Sequence, residues 1–229
     1  MAKVALITGA SQGIGAAIVR RLVQEQFTVL ALGRNLERLQ SLHTENTIAY
    51  SCDVGNQEQV TRTFQDIGKK CSSIDILVNA AGVGYFEPIE KTSTDHWTET
   101  IEVNLTGSFR ITKEALPFLK RSASAHIFNI CSSASRRGFP NCGAYAASKF
   151  GLLGFTEVLR EELRSHKIKV TAIIAGAVHT PFWDKTGTGF DTSKMIPPDD
   201  VAQAVFFASQ QSANNLIEEI VLKPATGDF

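Results

Sequence analysis

Between the apolar run Val4-Ala5-Leu6-Ile7 and the amphipathic run Ala16 to Leu22 the chain carries Thr8-Gly9-Ala10-Ser11-Gln12-Gly13-Ile14-Gly15. A short β-type run, a turn with three glycines and a helix-type run, in that order, restrict the fold more than any other feature. A glycine turn joining a parallel strand to a helix leaves backbone N–H groups and the helix N-terminus facing outward, an arrangement suited to a pyrophosphate. An isolated glycine triplet could equally be a tight turn. Here the strand, the glycines and the helix all fall where a phosphate loop requires them.

The rest of the chain extends this unit. Short apolar runs at Val4 to Thr8, Thr28 to Leu32, Thr47 to Ser51, Ile74 to Val78, His126 to Ile130, Val170 to Ile174 and Glu219 to Leu222 read as strands. Helix-like segments lie between them at about Gly13–Gln26, Leu36–His43, Asn56–Lys70, Asp95–Leu119, Cys142–Arg164 and Asp199–Ser209. The β-α-β-α order predicts a doubly wound, Rossmann-like α/β domain: seven parallel strands with helices on both faces. The 229 residues contain no linker or repeat, so residues 1–229 read as one domain. The irregular stretch at about 181–198 is the candidate substrate lid.

Composition narrows the function classes. With 23 basic and 23 acidic side chains the formal net charge is zero, so neither nucleic acid nor an anionic membrane is an expected partner. Cys52, Cys71, Cys131 and Cys142 form no C-x-x-C pair and read as reduced thiols. The five histidines, His43, His96, His126, His166 and His179, make no metal-spaced cluster, and no metal is expected. No apolar run reaches the ~18 residues of a membrane span. The start at Met1-Ala2-Lys3 has no charged-then-apolar leader, which makes the cytoplasm the expected compartment.

The spacing T-G-x-x-x-G-x-G resembles that of the short-chain dehydrogenase/reductase family. Further motifs similar to that family's follow in order: Cys52-Asp53-Val54, Asn79-Ala80-Ala81-Gly82, Asn104, Ser132, Tyr145-Ala146-Ala147-Ser148-Lys149 and Gly176 to Thr180. The resemblance implies a nicotinamide cofactor lined by Gly9, Ser11, Gln12, Gly13, Ile14, Gly15, Arg34, Asp53, Val54, Asn79, Ala80, Tyr145, Lys149, Gly176, Val178 and Thr180. It places Asp53 near the adenine, makes Asn79 a support of the sheet beside the cofactor, and brings Thr180 to the nicotinamide amide. Ala80 stands where the family often has a second Asn, and Ala175 where it often has Pro.

Selection of NAD usually requires Asp or Glu about 20 residues beyond the first glycines, to bind the ribose 2′-OH. Gly33-Arg34 stands there instead. Gly33 leaves room for a 2′-phosphate and Arg34 offers it a planar, permanently charged fork, so NADP is the expected cofactor. Without the motif before it, Arg34 would read as an exposed arginine at a helix start. Ser11 could add a hydrogen bond. Gln12, where NADP-dependent relatives often carry a basic residue, withholds a second charge.

Tyr145 and Lys149 are four apart in a helical segment and so emerge on one face. A phenol with a pKa near ~10 is a poor reversible acid at neutral pH, and bringing it to neutrality takes roughly 4 kcal/mol. An ammonium at about 4 Å in an effective dielectric of ~20 supplies a comparable amount, which makes Lys149 the sensible partner. By resemblance Lys149 would also hold the nicotinamide ribose. Ser132, thirteen positions before Tyr145 as in the family, would hydrogen-bond the substrate oxygen where negative charge develops, with Ser133 its neighbouring alternative. Asn104, inside a long helix, would support a proton-relaying water by resemblance, or be an exposed polar residue or a helix bend.

These residues imply an NADPH-dependent carbonyl reductase, with a small-molecule ketone as substrate. The segments Gly176 to Trp183 and Glu218 to Asp228 look like those of sepiapterin-type members, while the general motifs equally resemble 3-oxoacyl-carrier reductases. An NADP-dependent alcohol dehydrogenase working oxidatively, or a dinucleotide sensor without turnover, are the rival classes. Phe86, Phe139, Phe182 and Trp183, with Phe190 and Met195 from the lid, read as aromatic and uncharged substrate walls. Apolar residues on Cys142–Arg164, with Gly151 and Gly154 permitting close approach, predict a homodimer or homotetramer.

Overall fold

The computed structural model describes residues 2–42, 44–185 and 191–227. In chain order the elements are β1 (Val4–Ile7), α1 (Gly13–Gln24), β2 (Thr28–Gly33), α2 (Leu36–Gln40), β3 (Thr47–Ser51), α3 (Gln57–Gly68) and β4 (Ile76–Asn79). They continue as α4 (Thr94–Ile101), α5 (Gly107–Leu119), β5 (His126–Ser132), α6 (Gly143–Leu163), β6 (Lys169–Ala175), α7 (Pro198–Ser209) and β7 (Glu219–Leu222). The seven strands form one parallel sheet in the order β3-β2-β1-β4-β5-β6-β7. The chain winds outward from β1 to β3 and restarts at β4, so the loops after β1 and β4 part and open a crevice at the carboxyl ends of the strands.

Both faces of the sheet are covered, which explains why the strands are near-continuous apolar runs rather than alternating ones. Ile18 and Leu22 of α1 and Val201 and Val205 of α7 cover one face; Val60 and Ile67 of α3, Ile111 and Leu119 of α5 and Leu163 of α6 cover the other. Burying each such side chain contributes about 1.5–3 kcal/mol relative to leaving it in water. Caps set several helix starts: Asn35, Asn56 and Ser93 accept from the backbone N–H of Arg38, Gln59 and His96.

Most element ends shift by one to three residues from the sequence reading, and two differences have a clear physical cause. β4 begins at Ile76 rather than Ile74, because Asp75 is occupied in tying strand starts together: its carboxylate accepts from Val4 N and Ser122 Oγ. The expected single helix Asp95–Leu119 is divided into α4, a π-turn at Glu102–Thr106 and α5. The π-turn admits one residue more than an α-helical turn holds, and it turns Asn104 fully inward. No helix among the described residues is long and apolar enough to cross a membrane.

Candidate active site

The glycine loop is glycine for steric reasons that can be read atom by atom. Gly9 has φ +64°, and a Cβ there would stand 2.7 Å from the Ala80 carbonyl oxygen. A Cβ on Gly15 would stand 2.3 Å from the Gly9 carbonyl oxygen, so α1 reaches back against the loop only because Gly15 has no side chain. Thr8 braces the turn: its Oγ accepts from the backbone N–H groups of Ala80 and Ala81, at 3.0 and 3.1 Å. This joins the first loop to the fourth strand where the family's second Asn is missing. No side chain caps α1, and its first turn carries no acid. Its N-terminal N–H groups are therefore available to an anion.

From this loop a cavity of about 820 Å³ runs along the strand ends, with Arg34, Arg38 and Asp53 at one end and Ser132, Tyr145 and Lys149 toward the other. Its walls include every residue expected to touch the cofactor except Asn79. Asn79 is 2% exposed and points behind the crevice, where its Nδ2 donates to Thr112 and Asn129. It braces β4 against α5 and β5, the sheet support expected of it, and its side chain is off the cavity wall. Asp53 holds its own turn, its Oδ1 accepting from Gly55 N at 2.9 Å.

At its end of the cavity, Arg34 does not stand alone. Its Nη1 lies 3.4 Å from Glu99, whose other carboxylate oxygen accepts from the Tyr85 hydroxyl at 2.5 Å. Gln12 was expected to leave the site one charge short; in the fold its side chain accepts from the Arg38 guanidinium, which brings a second cation to the cavity wall. Arg38 is a residue the sequence reading missed. Local pattern gave no signal for it, because Arg34 precedes the extended N-cap Asn35 and the Arg38 side chain is placed by Gln12, 26 positions earlier.

At the other end β5 and α6 bring the reacting groups together. Ser132 is the last residue of β5, paired in register with Ala175. Its Oγ accepts from Ala134 N at 3.1 Å and its N–H donates to Ser135 Oγ, so the hydroxyl is held by the turn that follows. It hydrogen-bonds the Tyr145 hydroxyl. Lys149, 5% exposed, emerges one turn after Tyr145 and donates to the Ile130 carbonyl at 2.7 Å. Asn104 is off the cavity wall: its amide clasps the backbone of Val83, with Nδ2 to Val83 O at 2.9 Å and Oδ1 from Val83 N at 2.8 Å, and also donates to Ser148 Oγ.

Tyr145 is not lowered as its spacing from Lys149 suggested. Burial pushes it up to about 12, against a downward pull from the Ser132 hydrogen bond. The ammonium is 5.7 Å from the phenol ring centroid and is engaged by the Ile130 carbonyl, and burial also holds Lys149 below the usual lysine range. Desolvation is the dominant influence on both groups. The phenol is neutral and carries its proton at neutral pH.

Phe86, Phe139, Phe182 and Trp183 all line the cavity. The Phe86, Phe182 and Trp183 rings meet one another with centroids 5.4–6.0 Å apart, and Phe86 and Phe182 each stand 5.6 Å from the Tyr145 ring. Gly84 makes room: a Cβ there would stand 2.7 Å from Phe182, a crowding that no sequence pattern signals. Trp183 donates its indole N–H to Val178 O at 2.8 Å. Met195 is a correction: beside the bridge from Val178 to Ile196 it is buried and off the cavity wall. Phe190 lies outside the described residues. Among the described residues no group of three or more His, Cys, Asp or Glu could hold a metal ion.

Glycine cradle, switch-point crevice and the phenol, hydroxyl and ammonium at its far end define a dinucleotide-binding domain of oxidoreductase type. The family model described as short chain dehydrogenase matches residues 3–190. Sepiapterin reductase of Chlorobaculum tepidum is 32% identical over 243 residues, covering 100% of this chain and 99% of that one. The closed form of a serine dehydrogenase complexed with NADP+ superposes with a TM-score of 0.92 at 32% identity, over 99% and 96% of the two chains. A 3-ketoacyl-(acyl-carrier-protein) reductase from Brucella melitensis, complexed with NADH, gives 0.90 at 26% identity over 97% of each chain. The protein belongs to the short-chain dehydrogenase/reductase family.

Proposed function

We propose that the protein is an NADPH-dependent carbonyl reductase acting on a flat or apolar ketone, such as a sepiapterin-like pteridine, a 3-oxoacyl compound or a small dicarbonyl. The observation that carries this reading is the pairing of a protonated Tyr145 phenol with Ser132 beside walls of Phe86, Phe139, Phe182 and Trp183. The reduced nicotinamide supplies the hydride when bound. Ser132 donates a hydrogen bond to the substrate oxygen and aligns it with Tyr145, which delivers the proton. Lys149 steadies the phenolate that remains and is suited to hold the nicotinamide ribose. Asn104 is a positioning residue: through Val83 and Ser148 it ties the loop after β4 to the helix that carries Lys149.

The glycine loop, with Arg34 and Asp53, would hold the adenosine and pyrophosphate, and Gly176, Val178 and Thr180 the nicotinamide. Among the described residues at the substrate end, Lys149 is the one charged side chain on the wall. The test is NADPH oxidation against sepiapterin, an acetoacetyl thioester and simple diketones, with NADH in parallel. Ketone-dependent oxidation of NADPH at several times the efficiency of NADH is expected. Turnover with alcohols and NADP+ alone would move the protein to the oxidative class, and equal use of both cofactors would sink the NADPH assignment.

Residues 181–198, of which 186–190 lie outside the described residues, are the lid in this reading, and Trp183 tests it. Trp183→Ala is expected to raise KM for a flat ketone several-fold, with NADPH affinity within about twofold and Tm lower by less than about 4 °C. A lower Tm with unchanged KM for every ketone would make Trp183 a packing residue instead. For assembly, Phe109 of α5 and Phe150 and Val158 of α6 are 46%, 47% and 53% exposed on adjacent helices. Gly154 meets nothing within 4 Å, whereas Gly151 is filled by Leu105 of the same chain. We take this face as the seam of a homodimer or homotetramer. Light scattering at micromolar concentration should give a mass at least twice the monomer's.

A further inference from the structure

We infer that Arg38, held across the glycine loop by Gln12, is the principal cation for a 2′-phosphate at the adenosine end of the cleft. This rests on the NADPH reading above and deepens it. The starting point is a difference between the two arginines on that wall. Arg34 faces Glu99 at 3.4 Å, and Glu99 is itself anchored by the Tyr85 hydroxyl. A phosphate approaching Arg34 therefore meets a fixed carboxylate as well as a guanidinium. Arg38 pairs with no carboxylate among the described residues; its side-chain partner is the neutral amide of Gln12. Its charge is uncompensated, and most of its N–H donors remain for a ligand.

The local fold keeps Arg38 in place. α2 is only five residues long, but Asn35 Oδ1 accepts from Arg38 N at 2.9 Å and the next residue, Leu39, is completely buried. The backbone under Arg38 is thus fixed at both sides while its side chain stays exposed on the cavity wall. Gly33 completes the space. A Cβ there would stand 3.5 Å from the Ser11 Cβ and Oγ, so the glycine keeps a gap between β2 and the glycine loop. Gln12 has no role in capping α1, and its engagement with Arg38 replaces the positive charge it lacks.

The alternative is that Arg38 merely clasps α2 to the glycine loop, and the two roles separate by ligand. Dissociation constants are measured by fluorescence for NADPH, NADH, adenosine 2′,5′-bisphosphate and adenosine 5′-monophosphate. They are compared across the unmodified protein, Arg38→Ala, Arg38→Lys, Gln12→Ala and Arg34→Ala. Arg38→Ala is expected to weaken NADPH and the bisphosphate at least tenfold and to leave NADH and the monophosphate within about twofold. Arg38→Lys should recover part of the loss, Gln12→Ala should show a smaller loss of the same selectivity, and Arg34→Ala should cost less than Arg38→Ala. If Arg38→Ala weakens all four ligands alike, or leaves the preference for NADPH intact, the assignment is overturned while the NADPH reading survives. If the unmodified protein binds NADPH and NADH equally, the NADPH reading itself fails.

Discussion

Tyr145→Phe should lower kcat by about a thousandfold or more while leaving the Kd for NADPH within about threefold. A positioned general acid contributes roughly 10²–10⁴ to rate, and here the phenol proton is the one at hand. Burial keeps it on the oxygen, with the hydroxyl up to about 12, and Ser132 holds that oxygen in place. The ring itself is retained in the variant, so the contacts with Phe86 and Phe182 survive and the lid side of the cavity keeps its shape. Steady-state kinetics with the best ketone of the panel, together with NADPH fluorescence, separate the two quantities. Retention of more than a few percent of activity would refute the role given to Tyr145. Ser132→Ala should fall in the same direction by a smaller factor, since the phenol keeps its proton without it.

Gly15→Ala is expected to weaken dinucleotide binding by more than tenfold and to lower Tm by roughly 5–10 °C. The added Cβ would sit 2.3 Å from the Gly9 carbonyl oxygen, an overlap with backbone that no rotamer change relieves. Either α1 withdraws from the loop or the loop withdraws from Ala80, and both movements disperse the N–H groups that face the anion. Overpacking of this kind costs about 1–3 kcal/mol, and each kcal/mol is worth about 2–4 °C in a chain of this size. Thermal melts with and without NADPH check both halves. An unchanged Tm together with an unchanged ligand-induced shift would mean that the loop is not the close-packed element described. Ala16 and Ala17 next door already carry a Cβ in the buried face of α1, which makes the steric limit specific to position 15.

Much of this architecture could be read from the chain because parallel strands buried on both faces advertise themselves as apolar runs. β3 and β7 fall at the residues expected, and the order of elements sets the sheet. The glycine loop and the Tyr145–Lys149 pair were legible because local geometry alone, a turn and a helical repeat, brings their atoms together. What local pattern could not show is anything decided by two distant segments. Asn79 looks like a crevice residue until Thr112 and Asn129 claim its amide. The Tyr145 hydroxyl looks acidified until burial and the Ile130 carbonyl's hold on Lys149 are set against the spacing. The second cation at the adenosine end, Arg38, depends on an amide 26 positions earlier. Met195 looked like a wall because lids are often aromatic and apolar; the bridge between Val178 and Ile196 decides which way that strand of loop faces.

The π-turn at Glu102–Thr106 changes how the chain tolerates alterations of length. In an ordinary helix, removing one residue rotates everything beyond it by about 100°, which throws an entire buried face out of phase. Here the helix holds one surplus residue, so excising a residue between 102 and 106 would let the turn tighten to α-helix and leave both flanks facing as they do now. Ile111 and Leu119 would stay in the core, and Thr112 would still meet Asn79. Asn104, in the middle of that turn, would be shifted from its place between Val83 and Ser148. Length at this point is therefore a setting independent of the scaffold: shortening would idle the site without unfolding the protein.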